Sequence, residues 1–403
     1  MRRRLATLLA LCALLAPASV EAAPVPPTAL QQKLAKALRV PHVAPGRSGA
    51  VAVDLTTGAV VFSQNRTRPL APASNEKLPV TYAALTTLGP AYHFETDVLG
   101  VGSQDGAVWT GSLILKGGGD PTLSTAGLRS LALQLRSAGI RRLAGGVVAD
   151  ESLFDARRTV AGWKPSFYLD ESAPLSALVV NRDRFGGYLS TNPALAAGNA
   201  FVSALRGAGI AVTSTARVGV ADEFAEPLAT VESPPLSSIL RFMDHESDNF
   251  TAEMLLKELG ASELDRGTSA AGAAVVMRQL AQAGVPMAGV RIVDGSGLSQ
   301  LDRLTADALA GMLRIAWGDP VTRQVLVGAL PVAGVNGTLE DRMRTGPAHG
   351  HVVAKTGTTS EASALSGFAR SHYAFAIVQN GHPLSYWWAR VAQDRFAQVL
   401  AAQ

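Results

Sequence analysis

Cysteine is almost absent from this sequence of 403 residues, which contains only Cys12. That residue lies in a short apolar run over residues 5–15, which follows three arginines at residues 2–4. A basic start, a short apolar run and small residues at a potential cleavage point before Ala23 are typical of a secretory signal peptide. Removal of residues 1–22 leaves no cysteine, which excludes disulfides, thiolate metal sites and a cysteine nucleophile from the mature chain.

Long hydrophobic runs are also missing. Residues 5–15 are too few for a usual membrane-spanning helix, so a cleaved signal is favoured over the alternative of an uncleaved anchor. We therefore expect an exported protein, periplasmic or facing the cell wall from outside, with no stable membrane span after processing.

A large excess of either positive or negative charge is absent as well. The formal net charge is +4, and loss of residues 1–22 removes three arginines and one glutamate, which leaves +2. Basic runs with interleaved aromatic residues do not occur, and aromatic residues make up 6% of the chain. This composition favours a mixed solvated surface and predicts no nucleic-acid partner.

The middle of the chain differs from its two ends in the pattern of apolar residues. Apolar spacing predicts an early helix over residues 30–38, a β-hairpin over 50–62 and a helix over 74–88. Short strand-like runs between glycine-rich turns then fill residues 96–235. Four helical patterns, three strands and a final helix follow, with the predicted ranges 236–243, 250–259, 269–283, 305–317, 352–358, 364–370, 373–379 and 386–402. The prediction is an α+β fold, in which an antiparallel sheet built from both chain ends is flanked by helices. A β-rich accessory region is inserted into it.

Three short motifs occur in a fixed order. Residues 74–77 read S-N-E-K, residues 247–249 read S-D-N, and residues 355–358 read K-T-G-T. An S-x-x-K, S-D-N and K-T-G set is the signature of β-lactamases and penicillin-binding proteins. Each motif is weak alone, but the ordered set predicts one catalytic site.

Ser74 and Lys77 are the predicted nucleophile and base. A serine hydroxyl needs a base to take its proton, and residues three apart on a helix share a face. Lys77 can accept a proton only if its pKa is lowered, which burial and a nearby cation such as Lys355 would achieve. The alternative is a surface serine and lysine on an ordinary helix. Pro79 is unusual because proline inside a helix removes a hydrogen bond.

The second motif is predicted to lie in a loop between two helices. Ser247 could relay a proton to the leaving amine, and Asn249 could bond the substrate amide. The same residues are also good N-caps for the next helix, so both roles are open.

The third motif is predicted at the end of a strand. Lys355 and Thr356 suit a terminal carboxylate, and Gly357 allows close approach of a ligand. The backbone N–H of Thr358 could form an oxyanion hole with that of Ser74. The alternative is an ordinary strand end with a turn glycine.

Longer runs strengthen this interpretation. With these motifs, the sequence resembles the class C low-molecular-mass penicillin-binding proteins, the D-Ala-D-Ala carboxypeptidases/endopeptidases of peptidase family S13. The matching runs include G-G-D-P-T-L at residues 118–123, S-P-P-L at 233–236, D-G-S-G-L-S at 294–299, and segments at 330–331, 337–339 and 366–367.

The resemblance implies a transpeptidase-like catalytic domain over residues 23–95 and 236–403, with residues 96–235 inserted as one or two small domains. It implies a Ser74 acyl-enzyme that acts on peptidoglycan stem peptides and that β-lactams inhibit covalently. It implies no cofactor and no metal, and the one close histidine pair, His349 and His351, is predicted to lie in a loop before a strand.

Other functions stay open. A β-lactamase is disfavoured because no E-x-x-x-N pattern lies between S-D-N and K-T-G. A D,D-transpeptidase would use the same acyl-enzyme with an amine acceptor. A non-catalytic wall-binding protein would not need Lys77.

Overall fold

The computed structural model describes residues 28–185 and 188–403. The predicted signal peptide, residues 1–22, and Cys12 within it lie outside the described residues. In the part of the chain that is described, no helix combines the length and the apolar character that crossing a membrane requires.

The N-terminal part follows the predicted order. It contains α1 (Ala29–Leu38), β1 (Ser48–Asp54), β2 (Val60–Gln64) and α2 (Lys77–Thr87). The hairpin turn forms because Asp54 accepts hydrogen bonds from the N–H groups of Thr56 and Thr57, both at 2.8 Å. The early helix and the hairpin are thus confirmed.

The predicted helix over residues 74–88 begins differently. Residues Ala73–Glu76 form one 3₁₀ turn, and the α-helix starts only at Lys77. Pro79 is therefore the third residue of α2, within the first turn, where backbone N–H groups have no partner inside the helix. Its position costs the helix no hydrogen bond, which accounts for a proline in this segment.

The middle of the chain builds a second sheet. Its elements are β3 (Glu95–Asp105), β4 (Val108–Gly117), α3 (Thr125–Ser137), β5 (Arg142–Ala144), β6 (Val147–Asp150), the irregular turn α4 (Phe167–Asp170), β7 (Arg184–Phe185), β8 (Tyr188–Leu189), α5 (Pro193–Gly207), β9 (Ala216–Val218) and β10 (Glu226–Glu232). Strands β10-β3-β4-β6-β9 form the sheet in this order, with β5 beside β4. This region contains the predicted strands, and also two helices, α3 and α5, that the sequence interpretation did not include.

The C-terminal part returns to the first sheet. It comprises α6 (Leu236–Glu246), α7 (Asn249–Leu264), α8 (Ser269–Gln282), α9 (Ala306–Gly318), α10 (Pro320–Ala329), β11 (Val352–Thr358), β12 (Ala362–Ala369), β13 (Tyr373–Asn380) and α11 (Tyr386–Ala401). All of these except α10 correspond to predicted elements.

Both chain ends contribute to one antiparallel sheet, in the order β11-β12-β13-β1-β2. Ala52 of β1 lies opposite Phe375 of β13. Because side chains alternate along a strand, Val51 packs into a core with α2 and α9, whereas Ala52 packs into a core with α1 and α11. The sheet is buried on both faces between helices, as the predicted α+β fold requires.

The inserted region has a core of its own. Its buried apolar residues run from Val98 to Ala229, whereas Phe94 and Leu236 belong to the core around α2. This cluster lies within residues 96–235, and the boundaries of the insert stay a prediction. A smaller cluster joins the insert to α7, and it includes Phe154 of the insert and Phe250 of the helix. The insert therefore rests against the helix that begins at Asn249.

Candidate active site

Ser74 lies in the 3₁₀ turn that precedes α2, and two glycines hold that turn. A Cβ on Gly297 would lie 1.9 Å from the carbonyl oxygen of Ala73. A Cβ on Gly357 would lie 3.1 Å from the backbone nitrogen of Ser74. Neither position has room for a side chain, so backbone from two distant segments packs directly on the turn.

The sequence interpretation assigned Gly357 to close approach of a ligand. In the structure the space beside its α-carbon is filled by the turn at Pro72 and Ser74. The amide of Asn75 adds a second link, because its Nδ2 donates to the carbonyl oxygen of Lys355 at 3.0 Å. Strand β11 is thus fixed against the turn that carries Ser74.

Lys77 lies directly beneath Ser74 and is fully buried. Its Nζ is 3.1 Å from Ser74 Oγ, 2.8 Å from Asn249 Oδ1 and 2.8 Å from the carbonyl oxygen of Ser296. Burial lowers the pKa of Lys77 to about 8, although the nearest carboxylates act in the opposite direction. About a tenth of this amine is uncharged at pH 7, far more than for a lysine with an ordinary pKa, and the uncharged form is the proton acceptor.

Lys355 is the second buried lysine of the site. Its Nζ donates to Ser247 Oγ at 2.8 Å and to the carbonyl oxygen of Thr356 at 3.1 Å. Burial, followed by the positive charge of Lys77, lowers the pKa of Lys355 to about 7. Two ammonium groups cannot both hold their charge easily in this desolvated place, so their titrations are linked.

The S-D-N motif spans the junction of α6 and α7. Ser247 ends α6 in the left-handed conformation, with φ of 60°, and Asp248 caps α7 by accepting from the N–H of Thr251 at 2.8 Å. The middle residue is therefore the helix cap, and Ser247 and Asn249 on either side line the cleft. The capping role thus belongs to Asp248 alone, and the catalytic roles of Ser247 and Asn249 stay predictions.

Asn249 uses both ends of its side-chain amide within the protein. Its oxygen accepts from Lys77, and its Nδ2 donates to the carbonyl oxygen of Glu171 at 3.0 Å. The NH₂ group keeps a second hydrogen for a ligand. The amide thus orients the base and connects α7 to the inserted region.

At the end of β11, Thr356 is buried and Thr358 is exposed. The hydroxyl of Thr356 donates to the hydroxyl of Thr338 at 2.8 Å. Thr338 was not among the predicted site residues, although it belongs to the G-T-L segment that contributed to the family resemblance.

A cleft of about 270 Å³ brings the three motifs together. Five of its lining residues were predicted from the sequence, namely Ser74, Ser247, Asn249, Thr356 and Thr358. Six were not, namely Glu171, Gly297, Leu298, Thr338, Thr359 and Arg390. The new residues come from five separate stretches of the chain, and no local sequence pattern indicated Glu171 or Arg390.

The D-G-S-G-L-S run, which contributed to the family resemblance, reaches the site through its backbone. Asp294 accepts hydrogen bonds from the N–H groups of Gly297 and Ser299, both at 2.7 Å. Glu253 accepts from the N–H of Ser296 at 2.8 Å. These two buried carboxyl groups fix the loop whose Ser296 carbonyl contacts Lys77.

Carboxyl groups are concentrated under the base. Burial raises the pKa of Glu253 to about 8 and that of Asp302 to about 12, and it raises the pKa of Glu76 well above its usual value. Nearby carboxylates, Asp294 above all, add to each of these shifts. Most of this cluster is therefore protonated at neutral pH, which limits the negative charge beside Lys77.

Within the described residues, no group of three or more His, Cys, Asp or Glu side chains has an arrangement that could hold a metal ion. His349 and His351 lie before β11, in the loop where the sequence placed them.

The comparisons with known proteins agree with this geometry. The model of the D-Ala-D-Ala carboxypeptidase 3 (S13) family matches residues 30–189 and 187–403. The sequence is 33% identical to the D-alanyl-D-alanine carboxypeptidase of Actinomadura sp. (strain R39), over 91% of this chain and 84% of that protein. It is also 33% identical to carboxypeptidase DacB of Mycolicibacterium smegmatis, over 93% of this chain and 85% of that protein.

A solved structure has the same fold. Penicillin binding protein 4 (dacB) from Haemophilus influenzae aligns with a TM-score of 0.80 at 21% identity, over 92% of this chain and 98% of that one. A second crystal structure of that protein, in complex with a β-lactam, aligns with a TM-score of 0.74 at 22% identity and the same coverage of both chains.

Proposed function

Since this chain belongs to the D-Ala-D-Ala carboxypeptidase 3 (S13) family, it is a serine-type D-alanyl-D-alanine carboxypeptidase, and we propose that it works through an acyl-enzyme on Ser74. One observation carries the proposal. The Nζ atom of Lys77, buried and with a lowered pKa, lies 3.1 Å from the Ser74 hydroxyl in the cleft that also contains Ser247.

In the proposed acylation, neutral Lys77 takes the proton of Ser74 as its Oγ attacks the carbonyl carbon of the penultimate D-alanine. The backbone N–H groups of Ser74 and Thr358 stabilise the oxyanion. The proton then passes from Lys77 through Ser247 to the leaving amine, and terminal D-alanine departs. Lys355 holds the Ser247 hydroxyl in place for this transfer.

In the proposed deacylation, a water molecule attacks the ester carbonyl on Ser74. A base takes the water proton, and the same proton returns to Ser74 Oγ when the ester bond breaks. Lys77 is the group in reach of Ser74 Oγ that can carry out both transfers. No cofactor takes part in the proposed reaction.

The proposed substrates are peptidoglycan stem peptides that end in D-Ala-D-Ala, and the proposed covalent inhibitors are β-lactams, which would acylate the same serine. The enzyme acts outside the cytoplasm, as its carboxypeptidase relatives suggest. The signal-peptide pattern of residues 1–22 supports a periplasmic or wall-facing location.

The test is release of D-alanine from a peptide that ends in D-Ala-D-Ala. The mature wild type should release it, and Ser74→Ala should not. Ser103→Ala, which alters an exposed serine in the inserted region, is the matched control and should keep full activity. Unchanged release by Ser74→Ala would refute Ser74 as the nucleophile.

Endopeptidase action is a second candidate, favoured by the room around the cleft. A neighbouring pocket of about 470 Å³ shares Gly297, Leu298 and Thr359 with it, so a longer, cross-linked peptide has space to extend. Cleavage of cross-linked muropeptides by the wild type but not by Ser74→Ala would support this activity.

Rapid repeated turnover of penicillin would favour a β-lactamase, and D-alanine exchange with an added amine would favour a transpeptidase.

A further inference from the structure

Arg390 lies in the wall of the catalytic cleft, although none of the three motifs includes it. It is on the first half of α11, the helix that packs against the sheet beside β11 and β12. Its side chain lines the same cleft as Ser74, Thr356 and Thr358. The C-terminal helix thus adds a cationic group to the cleft that the three motifs share.

The guanidinium of Arg390 has no polar partner among the residues that the structure describes. The guanidinium lies over the ring of Tyr386, whose centroid is 3.9 Å from Cζ. Its Nε is buried and makes no hydrogen bond. Asp394, one turn further along α11, is already paired with Arg342 at 2.6 Å. An arginine normally satisfies its donors with carboxylate or carbonyl oxygens, so this cleft presents unused donors.

The two lysines of the site differ from Arg390, because their ammonium groups already donate hydrogen bonds within the protein. Lys77 directs its ammonium to three protein oxygens, and Lys355 donates to Ser247 and to the Thr356 carbonyl. Both are buried, and both have pKa values near the working range. Burial also lowers the pKa of Arg390, but from a usual value of 12.5, so this guanidinium stays charged.

Position and charge together point to an anion bound beside Thr356. We propose that Arg390 binds the carboxylate next to the scissile bond, which is the terminal carboxylate of a D-Ala-D-Ala peptide and the corresponding carboxylate of a β-lactam. The inference rests on the proposed function, because it assigns a recognition role within that site. Arg390 is then a specificity-determining residue, and it shares the carboxylate with Thr356.

The experiment compares two matched peptides, one ending in a free D-Ala-D-Ala carboxylate and one ending in the carboxamide. Arg390→Gln should lower kcat/KM for the carboxylate peptide by about 10- to 100-fold, the usual effect of losing a hydrogen bond to a charged group. It should change kcat/KM for the carboxamide peptide less than about twofold. Arg390→Lys, which keeps the charge, should recover part of the loss.

Arg395→Gln is the control, because it removes the same charge from an exposed position on the same helix. It should leave the ratio between the two peptides as in the wild type. The proposal would be overturned if Arg390→Gln lowered kcat/KM equally for both peptides, or lowered it for neither.

A second readout separates this inference from the proposed function. The acylation rates of benzylpenicillin and its methyl ester are measured on the same variants by the mass gain of the protein. If the wild type releases no D-alanine but Arg390→Gln selectively slows benzylpenicillin, the peptide activity fails and the carboxylate site stands. Another outcome is that the wild type releases D-alanine while Arg390→Gln has the wild-type ratio of acylation rates for benzylpenicillin and its methyl ester. In that case the carboxylate site is refuted and the proposed function stands. A wild type that reacts with none of the four compounds would overturn both.

Discussion

At the scale of single residues, the three oxygens around the Lys77 ammonium are all uncharged. They belong to a hydroxyl, a side-chain amide and a backbone carbonyl. Carboxylates lie further away, and those of the buried cluster are largely protonated because of their raised pKa values. The charged form of Lys77 is thus poorly compensated for a group removed from water, which is why its pKa falls.

The acylation rate should therefore depend on pH. Lys77 must be neutral to act, so the rate of acylation by a β-lactam should rise from pH 6 through a midpoint near the pKa of about 8 and level off about one pH unit above it. Because Lys355 titrates nearby, with a pKa of about 7, the observed midpoint belongs to the pair. Stopped-flow measurement with a fluorescent penicillin gives the profile.

Lys77→Arg is the matched variant, since arginine keeps the positive charge but does not deprotonate in this range. It should acylate at least about 100-fold more slowly at every pH, the scale of a lost general base. A flat wild-type profile from pH 6 to 9 would contradict Lys77 as the base.

Glu253 gives a prediction about stability. Its pKa is raised to about 8 in the folded chain, so between pH 4.5 and 8 the folded state holds a proton that the unfolded state has released. The free energy of unfolding should then fall as pH rises through this window, by up to about 1.4 kcal/mol per pH unit for this group. Glu253→Gln removes that dependence and keeps an oxygen for the Ser296 N–H.

Urea unfolding at several pH values between 5 and 8 measures the slope. The Glu253→Gln slope should be flatter than that of the wild type, whereas Glu340→Gln, at an exposed position, should match the wild type. Identical slopes for wild type and Glu253→Gln would mean that Glu253 is ionised in the folded chain.

At the scale of elements, the nucleophile turn depends on close backbone packing. Gly357→Ala places a methyl group 2.9 Å from the Pro72 carbonyl oxygen and 3.1 Å from the Ser74 nitrogen. We expect acylation to slow by at least about tenfold, because a displacement of a few tenths of an ångström misaligns the nucleophile and the oxyanion N–H. The melting temperature should also fall, because overpacking of this kind costs about 1–3 kcal/mol.

Gly318→Ala is the control for this variant, since nothing lies within 4 Å of the methyl group it adds. Acylation rates and thermal melts of the two variants are compared with the wild type. Wild-type acylation by Gly357→Ala would show that the turn tolerates movement.

Three helices that the sequence interpretation omitted begin with recognisable capping residues. Helix α10 begins with Asp319 as its cap and Pro320 at its first position, and α5 begins in the same way with Asn192 and Pro193. Helix α3 is capped by Ser124. These local signals were sufficient to predict all three helices, because a polar cap and a following apolar period specify a helix start.

Other features required the folded chain. The three motifs could be predicted because the chemistry depends on residue type and on spacing within each motif. Thr338, Glu171 and Arg390 reach the cleft through contacts between segments far apart in sequence, such as the hydrogen bond between Asn249 and Glu171. The 3₁₀ turn at Ser74 likewise depends on the packing of Gly297 and Gly357, which local propensity does not contain.

At the scale of the whole molecule, the inserted region has a core separate from the one beneath the active site. Phe201 is fully buried in the core of the insert. Phe201→Ala should lower the free energy of unfolding by about 3–5 kcal/mol, the usual effect of such a cavity. Acylation of the folded fraction should keep the wild-type rate, because the cluster of described residues that contains Phe201 includes none of the site residues.

Denaturant unfolding and the acylation rate of this variant test that separation. Phe154→Ala is the informative comparison, since Phe154 belongs to the cluster that joins the insert to α7. It should affect both stability and acylation. Equal loss of acylation in the two variants would contradict independent cores.

The central claim is tested most directly by intact-protein and peptide mass spectrometry after brief exposure to benzylpenicillin. We predict a mass gain of one penicillin per chain, located on the peptide that contains Ser74 and absent in Ser74→Ala. A wild type that gains no mass, a label on any other residue, or the same gain in Ser74→Ala would contradict the account.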